Sequence, residues 1–129
     1  MATPLDSPTT EFDLHDRLID LAVRISEVCD SLPPTRTGKH VAVQLVRCGT
    51  AAAPLHAEAS AAESRKDFVH KLRLCLKELR ETMTWLRYLQ RLDLGDKSEI
   101  DQSINETDRA LAIIYTSIRT ATRNQKLKS

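Results

Sequence analysis

The stretch Ser64–Leu92 reads SRKDFVHKLRLCLKELRETMTWLRYLQRL, and it decides the fold because every other segment must pack around it. It contains no glycine or proline and is rich in Leu, Lys, Arg and Glu, which all favour the helix. Ser64 can cap its first turn, with Asp67 at the acidic position of a capping box. We therefore predict one helix over residues 65–92, roughly 42 Å long.

This helix is apolar on two sides. One apolar seam follows alternate steps of four and three residues through Phe68, Leu72, Cys75, Leu79, Thr82, Leu86 and Leu89. A second apolar patch lies on the opposite side and consists of Leu74, Trp85, Tyr88 and Leu92. A helix with two apolar sides needs two sets of neighbours, so the second patch predicts a contact with another subunit.

Three further segments share the four-three spacing, and we predict helices over residues 11–32, 39–62 and 98–124. Residues 1–10 contain two prolines and predict a mobile tail, and residues 125–129 predict a basic C-terminal tail. The connections are only a few residues long, so consecutive helices must run antiparallel. The predicted fold is all-α, an antiparallel up-down-up-down four-helix bundle.

The second predicted helix is rich in alanine and contains Pro54 near its middle. Small side chains allow a neighbouring helix to approach closely. Proline removes one backbone hydrogen bond, so we expect a kink or a bend at this point. The bend either marks a functional position or simply curves the helix around the core.

Composition excludes several classes of protein. The 129 residues are 41% hydrophobic and 29% charged, with a net charge of +1, so binding to nucleic acid would require a local basic patch. Three cysteines without a CxxC pair indicate reduced core residues. The chain has neither an apolar run of membrane-spanning length nor a signal pattern, which predicts a cytoplasmic protein and no membrane partner.

No motif for catalysis, a cofactor or a metal is complete. His56–Glu58 matches the HxE fragment of zinc deaminases, but the PCxxC partner motif is missing. The four histidines form neither HExxH nor ExxH pairs. We therefore predict a protein that is not an enzyme and that binds no cofactor or metal.

One polar cluster joins the second and third predicted helices, and it predicts a network that fixes helix register or a subunit contact. Buried charges are normally paired, because an unpaired one costs several kcal/mol. Ordinary exposed pairs along each helix are the alternative. The members of this cluster are Arg47, Glu58, Lys71, Glu78 and Glu81.

A second polar feature is a row of basic residues along the third predicted helix, called here the basic lane. Four of its members recur every seven residues, which places them on one side of the helix. The lane consists of Lys66, Arg73, Lys77, Arg80, Arg87 and Arg91. It can follow a phosphate backbone, or it is a solvated flank whose long stems cover the edge of the core. Aromatic residues that would stack on bases are absent from it.

The central part of the chain resembles the four-helix-bundle protein family, also called the 23S rRNA-intervening-sequence proteins. The resemblance runs from Phe12 to about Tyr115 and is strongest over Gln44–Leu89. It departs at Ala53–His56, where relatives usually carry Gly-Ala-Asn-Tyr or a similar polar run. The matching positions are Gln44, Leu45, Arg47, Gly49, Thr50, Glu58, Ala59, Glu63, Ser64, Asp67, Phe68, Lys71, Leu72, Glu78, Glu81, Thr82, Trp85 and Leu86.

The resemblance implies a ring-shaped homo-oligomer, usually a homopentamer, without known catalysis. Some relatives are encoded within inserts in rRNA genes, and others resemble retroelement accessory subunits that bind a reverse transcriptase and nucleic acid. We therefore expect a homo-oligomeric scaffold that binds RNA or single-stranded DNA through the basic lane. The alternative is an accessory subunit that binds a protein such as a reverse transcriptase, without contacting nucleic acid.

Overall fold

The computed structural model describes the backbone of residues 11–128 and the side chains of residues 13–124. The described chain forms five helices and no strand: α1 (Glu11–Asp30), α2 (Arg36–Gly49), α3 (Ala52–Ser60), α4 (Arg65–Leu92) and α5 (Lys97–Lys128). The predicted tail at residues 1–10 lies outside this range. Because α2 and α3 both pack against α1 and α4, they form together the second arm of a four-arm bundle.

Cross-helix contacts show that neighbouring arms run antiparallel. Arg24 of α1 pairs with Glu99 near the start of α5 at 3.2 Å, whereas the earlier Arg17 pairs with the later Glu106 at 3.9 Å. On the other side of the bundle, Cys75 Sγ of α4 donates to the Ala52 carbonyl of α3 at 3.4 Å. The all-α four-helix bundle predicted from the sequence is confirmed.

The predicted seam of α4 lies in the core from Leu72 onward, whereas Phe68 is only partly buried. Leu72, Cys75, Leu79, Thr82, Leu86 and Leu89 are each no more than 1% exposed. Matching rows from the other helices complete one continuous apolar cluster. Burial of this apolar surface, at roughly 25 cal/mol per Å², holds the four arms together.

The prediction of one continuous helix over residues 39–62 was wrong. The structure interrupts it at Thr50–Ala51, one turn before Pro54. Pro54 has no N–H to donate to the Thr50 carbonyl, and its ring crowds that carbonyl. The Ala51 N–H instead bonds the Cys48 carbonyl at 3.3 Å, which is the tighter spacing of a turn.

Several helix ends also differ from the predicted bounds, and local chemistry explains each difference. α1 ends at Asp30 rather than 32, because the residue before Pro33 is displaced from helical geometry. α2 begins three residues early because the Thr35 hydroxyl accepts from the Gly38 N–H at 3.0 Å. The second arm ends at Ser60 rather than at residue 62. The Ala62 N–H bonds the carbonyl of Ala59, three residues back, which is the spacing of a turn and not of an α-helix.

The last helix is longer than predicted at both ends. It begins at Lys97 because Asp96, rather than Ser98, caps it by accepting from the Glu99 N–H at 3.0 Å. It continues through Lys128, so the predicted basic tail at 125–129 is helical as far as it is described. No glycine or proline follows Gly95, so nothing in the sequence stops the helix earlier.

Candidate nucleic-acid interface and subunit contacts

The basic lane of α4 lies on the outer surface of the bundle. All six of its residues are exposed, and among the described residues none of the six takes part in an ion pair. The side of α4 that faces α2 carries Glu78 and Glu81, which both lie near Arg47. The lane lies on the other side of α4, toward α5. Its members are Lys66, Arg73, Lys77, Arg80, Arg87 and Arg91.

A groove between α4 and α5, called here the arginine groove, extends the lane. It has a volume of about 550 Å³. Arg73 and Arg80 contribute to its α4 wall, and Arg119 and Arg123 contribute to its α5 wall. No described residue that lines the groove carries a carboxylate. Four guanidinium groups around one open groove create a strongly cationic site.

The remaining lining of the arginine groove is apolar and aromatic. Leu76 and the buried Ile118 line it between the arginines, and Tyr115 is 52% exposed beside them. Thr122 also lines the groove, but its hydroxyl oxygen is buried. The groove therefore combines phosphate-binding donors with a flat ring surface.

The sequence predicted the basic lane but not this groove, and only two residues of the lane line it. Arg73 and Arg80 were identified, whereas Lys66, Lys77, Arg87 and Arg91 of the lane do not line it. Tyr115, Arg119 and Arg123 were missed, although their spacing of four residues places them on one side of a helix. The aromatic residue that the lane lacks is supplied by the neighbouring helix.

The five residues of the polar cluster form two separate groups between the second arm and α4. Arg47 pairs with Glu81 and lies 3.5 Å from Glu78, and Lys71 lies 3.7 Å from Glu58. Arg47 is half exposed, so each pair contributes at most about 1 kcal/mol to stability. Each pair joins two helices of one chain.

The predicted apolar patch on α4 is only partly free. Trp85 packs against the core and makes edge-to-face ring contacts at 5.7 Å with both His40 of α2 and Tyr88. Leu74 is half-buried, whereas Tyr88 and Leu92 are each 42% exposed. The surface open to another molecule therefore centres on Tyr88 and Leu92.

A second exposed apolar patch lies on α1 and α2 and was not predicted. Val23 and Val43 are 55% and 62% exposed, and Ile19 and Val46 are exposed as well. The helices are neighbours, with Cys29 Sγ donating to the Ala42 carbonyl at 3.6 Å. The spacings Ile19–Val23 and Val43–Val46 were the available signal, but the buried seams dominated the pattern.

The cysteines are free and shielded. Burial raises the pKa of the Cys29 thiol to about 11, with a smaller effect of Asp30. Burial likewise raises the pKa of Cys75 to about 12, helped by Glu78, and it raises the pKa of Cys48. These thiols are poor nucleophiles and poor metal ligands at neutral pH.

Within the described chain, no three His, Cys, Asp or Glu side chains are grouped as a metal site. Among the described helices, none combines the length and apolarity needed to cross a membrane.

Comparison with known proteins agrees with the fold. A 1.70 Å crystal structure of a protein of unknown function from the S23 ribosomal protein family of Bacteroides thetaiotaomicron VPI-5482 has a TM-score of 0.77 and 28% sequence identity. The alignment covers 84% of this chain and 97% of that chain. No curated protein is significantly similar. The model of the family described as 23S rRNA-intervening sequence protein matches residues 10–116, and the chain belongs to this family.

Proposed function

We propose that the protein is a non-enzymatic, ring-shaped homo-oligomeric scaffold in the cytoplasm that binds RNA or single-stranded DNA through the basic lane of α4. The observation that carries the proposal is the set of exposed cations on α4 and α5 that have no acidic partner among the described residues. A phosphate backbone is the ligand that best satisfies such a row of charges.

The distribution of ion pairs supports this proposal despite a net charge of only +1. The described acidic side chains that form ion pairs do so between α1 and α5 or between the second arm and α4. These pairs neutralise two faces of the bundle. The outer face of α4 remains positive, which gives the local patch that a nearly neutral protein needs to attract a polyanion.

The apolar patches support assembly. Tyr88 and Leu92 lie on α4, whereas Val23 and Val43 lie on α1 and α2, so the two patches occupy different faces. If each patch contacts the other on the next subunit, the contact is heterologous, and such contacts generate closed rings when the rotation permits. We propose five copies, the number that the family resemblance implies.

The nucleic-acid proposal is tested by titrating a labelled single-stranded RNA or DNA at several salt concentrations. With six phosphate contacts, affinity should fall by about 300-fold between 50 and 200 mM salt. Charge reversal at Lys77 and Arg87, which lie in the lane but outside the arginine groove, should weaken binding and reduce the salt dependence. Charge reversal at the exposed Arg109, which lies on the α1–α5 side of the bundle and outside the lane, is the matched control.

The assembly proposal is tested by light scattering on a sizing column. The wild-type protein should elute at five times its mass of 14.5 kDa, and Leu92→Asp should shift it toward the monomer without loss of helicity. A wild-type protein that elutes at 14.5 kDa would contradict the proposed ring.

A second candidate function is that of an accessory subunit that binds a protein partner, such as a reverse transcriptase. The exposed valines of α1 and α2 favour it, because apolar side chains grouped on a surface can mark a protein contact. Failure of the wild-type protein to bind nucleic acid at low salt would support this candidate over the basic-lane proposal.

A further inference from the structure

We propose that the arginine groove is a nucleotide site for single-stranded nucleic acid, in which arginines bind the phosphates and Tyr115 stacks on one base. This inference rests on the proposed nucleic-acid binding and narrows it to single strands. It also assigns functions to Tyr115, Arg119 and Arg123, which lie outside the basic lane.

The four guanidinium groups of the groove are well suited to bind phosphate. Arginine presents a planar fork of donors that binds a phosphate in bidentate fashion, which a point charge such as lysine cannot do. Arg119 and Arg123 are one turn apart on α5, about 6 Å along the axis, and Arg73 and Arg80 are two turns apart, about 10 Å. The cations therefore lie along both walls of the groove rather than at one point, which suits an extended backbone with successive phosphates.

The apolar part of the groove provides a surface on which a base can stack. The ring of Tyr115 is half exposed beside Leu76 and the buried Ile118. A base placed there covers the ring and the two aliphatic side chains, and stacking tolerates any base because each has a π face.

The same geometry selects against a duplex. In a double helix the bases are stacked inside the strands, and their faces are closed to a side chain. A duplex can contact the exposed arginines through its phosphates, but it cannot place a base on Tyr115. The groove should therefore bind a single strand through two kinds of contact and a duplex through only one.

The test compares one labelled single-stranded oligonucleotide with its duplex by fluorescence anisotropy. Tyr115→Ala should weaken single-strand binding by about fivefold to 150-fold and leave duplex binding and the salt slope unchanged. Tyr115→Phe should retain the affinity. Thr116→Ala is the matched control, because it truncates an exposed neighbour of Tyr115 on α5 that does not line the groove.

The phosphate contacts are tested separately by the salt slope. The double variant Arg119→Gln, Arg123→Gln should lower the slope for the single strand by about 1.4, which corresponds to two lost contacts. Arg36→Gln in the same assay controls for the loss of a charge elsewhere. All of these side chains are exposed, so circular dichroism should show unchanged helicity.

The outcomes separate this inference from the function on which it rests. Absence of any nucleic-acid binding by the wild-type protein would overturn both. Salt-dependent binding that Lys77 and Arg87 reversals weaken, but that Tyr115→Ala and the Arg119, Arg123 variant leave unchanged, would overturn the groove alone. Equal losses on single strand and duplex after Tyr115→Ala would exclude stacking.

Discussion

Gly49→Ala should destabilise the bundle because α1 and α2 touch at this glycine. A Cβ atom on residue 49 would lie 2.5 Å from Ile25 Cγ2 and 3.1 Å from Ile25 Cβ and Cγ1. Ile25 is fully buried, and a β-branched side chain in a helix has essentially one rotamer. The isoleucine therefore cannot rotate away, and the two helices must separate to admit the methyl group.

The expected cost follows from two opposing effects. Overpacking a core usually costs about 1–3 kcal/mol of unfolding free energy. Alanine recovers part of this through its higher helix propensity, worth at most about 1 kcal/mol in a helix interior and less at the last residue of α2. We expect a net loss of about 1–2 kcal/mol, or about 4–8 °C in Tm for a chain of this size.

A double-mutant cycle with Ile25→Ala identifies the cause. That substitution alone should cost about 2–5 kcal/mol, because it removes both γ carbons from the core. In the double variant the added methyl group finds space, so the combined loss should be smaller than the sum of the single losses by about 1–2 kcal/mol. Urea unfolding followed by circular dichroism at one fixed protein concentration measures all four proteins. A Gly49→Ala protein as stable as wild type, or strictly additive losses, would refute the steric argument.

Three further substitutions test individual contacts by the same unfolding assay. Thr107→Val should raise the unfolding free energy by about 1 kcal/mol, because the Thr107 hydroxyl is buried without a partner among the described residues; a loss of stability would contradict this. Ser64→Ala should lower it by about 1 kcal/mol, because the Ser64 hydroxyl accepts from the Asp67 N–H at 3.1 Å; Ser64→Asp, which can still cap, should not. Burial and Glu78 raise the pKa of the Cys75 thiol from 9.0 to about 12. The protonated thiol therefore contributes fully to the free energy of unfolding below pH 9. This contribution is lost as the pH rises toward 12, by up to about 1.4 kcal/mol per pH unit. The difference in stability between wild type and Cys75→Ala should shrink by that slope above pH 9, and a constant difference would show that the thiol titrates alike in both states.

The long helix could be predicted from the sequence because local signals and burial agree in it. Ser64 caps its start, strong helix formers fill its length, and its seam from Leu72 to Leu89 is buried. The second arm could not be predicted to the same detail. The proline at position 54 indicated a disturbance, but whether a helix bends or breaks there depends on the packing of both halves against α1 and α4.

The candidate site divides in the same way. The basic lane could be predicted because its residues lie within one helix and four of them recur every seven positions. The groove could not be predicted, because it depends on how α5 is rotated about its axis relative to α4. That rotation places Arg119 and Arg123 in the same groove as Arg73 and Arg80. The exposed valines of α1 and α2 could not be predicted for a related reason: the buried seams account for the periodicity of these helices, and the valines add no separate periodic signal.

The nearly neutral charge of the chain conceals a strong separation of charge along α5. Its first part carries Glu99, Asp101, Glu106 and Asp108, and no acidic residue follows Asp108 in the remaining sequence. Because α4 runs antiparallel to α5, the basic second part of α5 lies beside the stretch of α4 that carries the exposed Arg73 and Arg80. The acidic first part instead pairs with Arg17 and Arg24 of α1. A fold that pairs its carboxylates on two faces and leaves arginines unpaired on another bears the cost of the mutual repulsion of those arginines, and a bound polyanion is the simplest partner that would remove it.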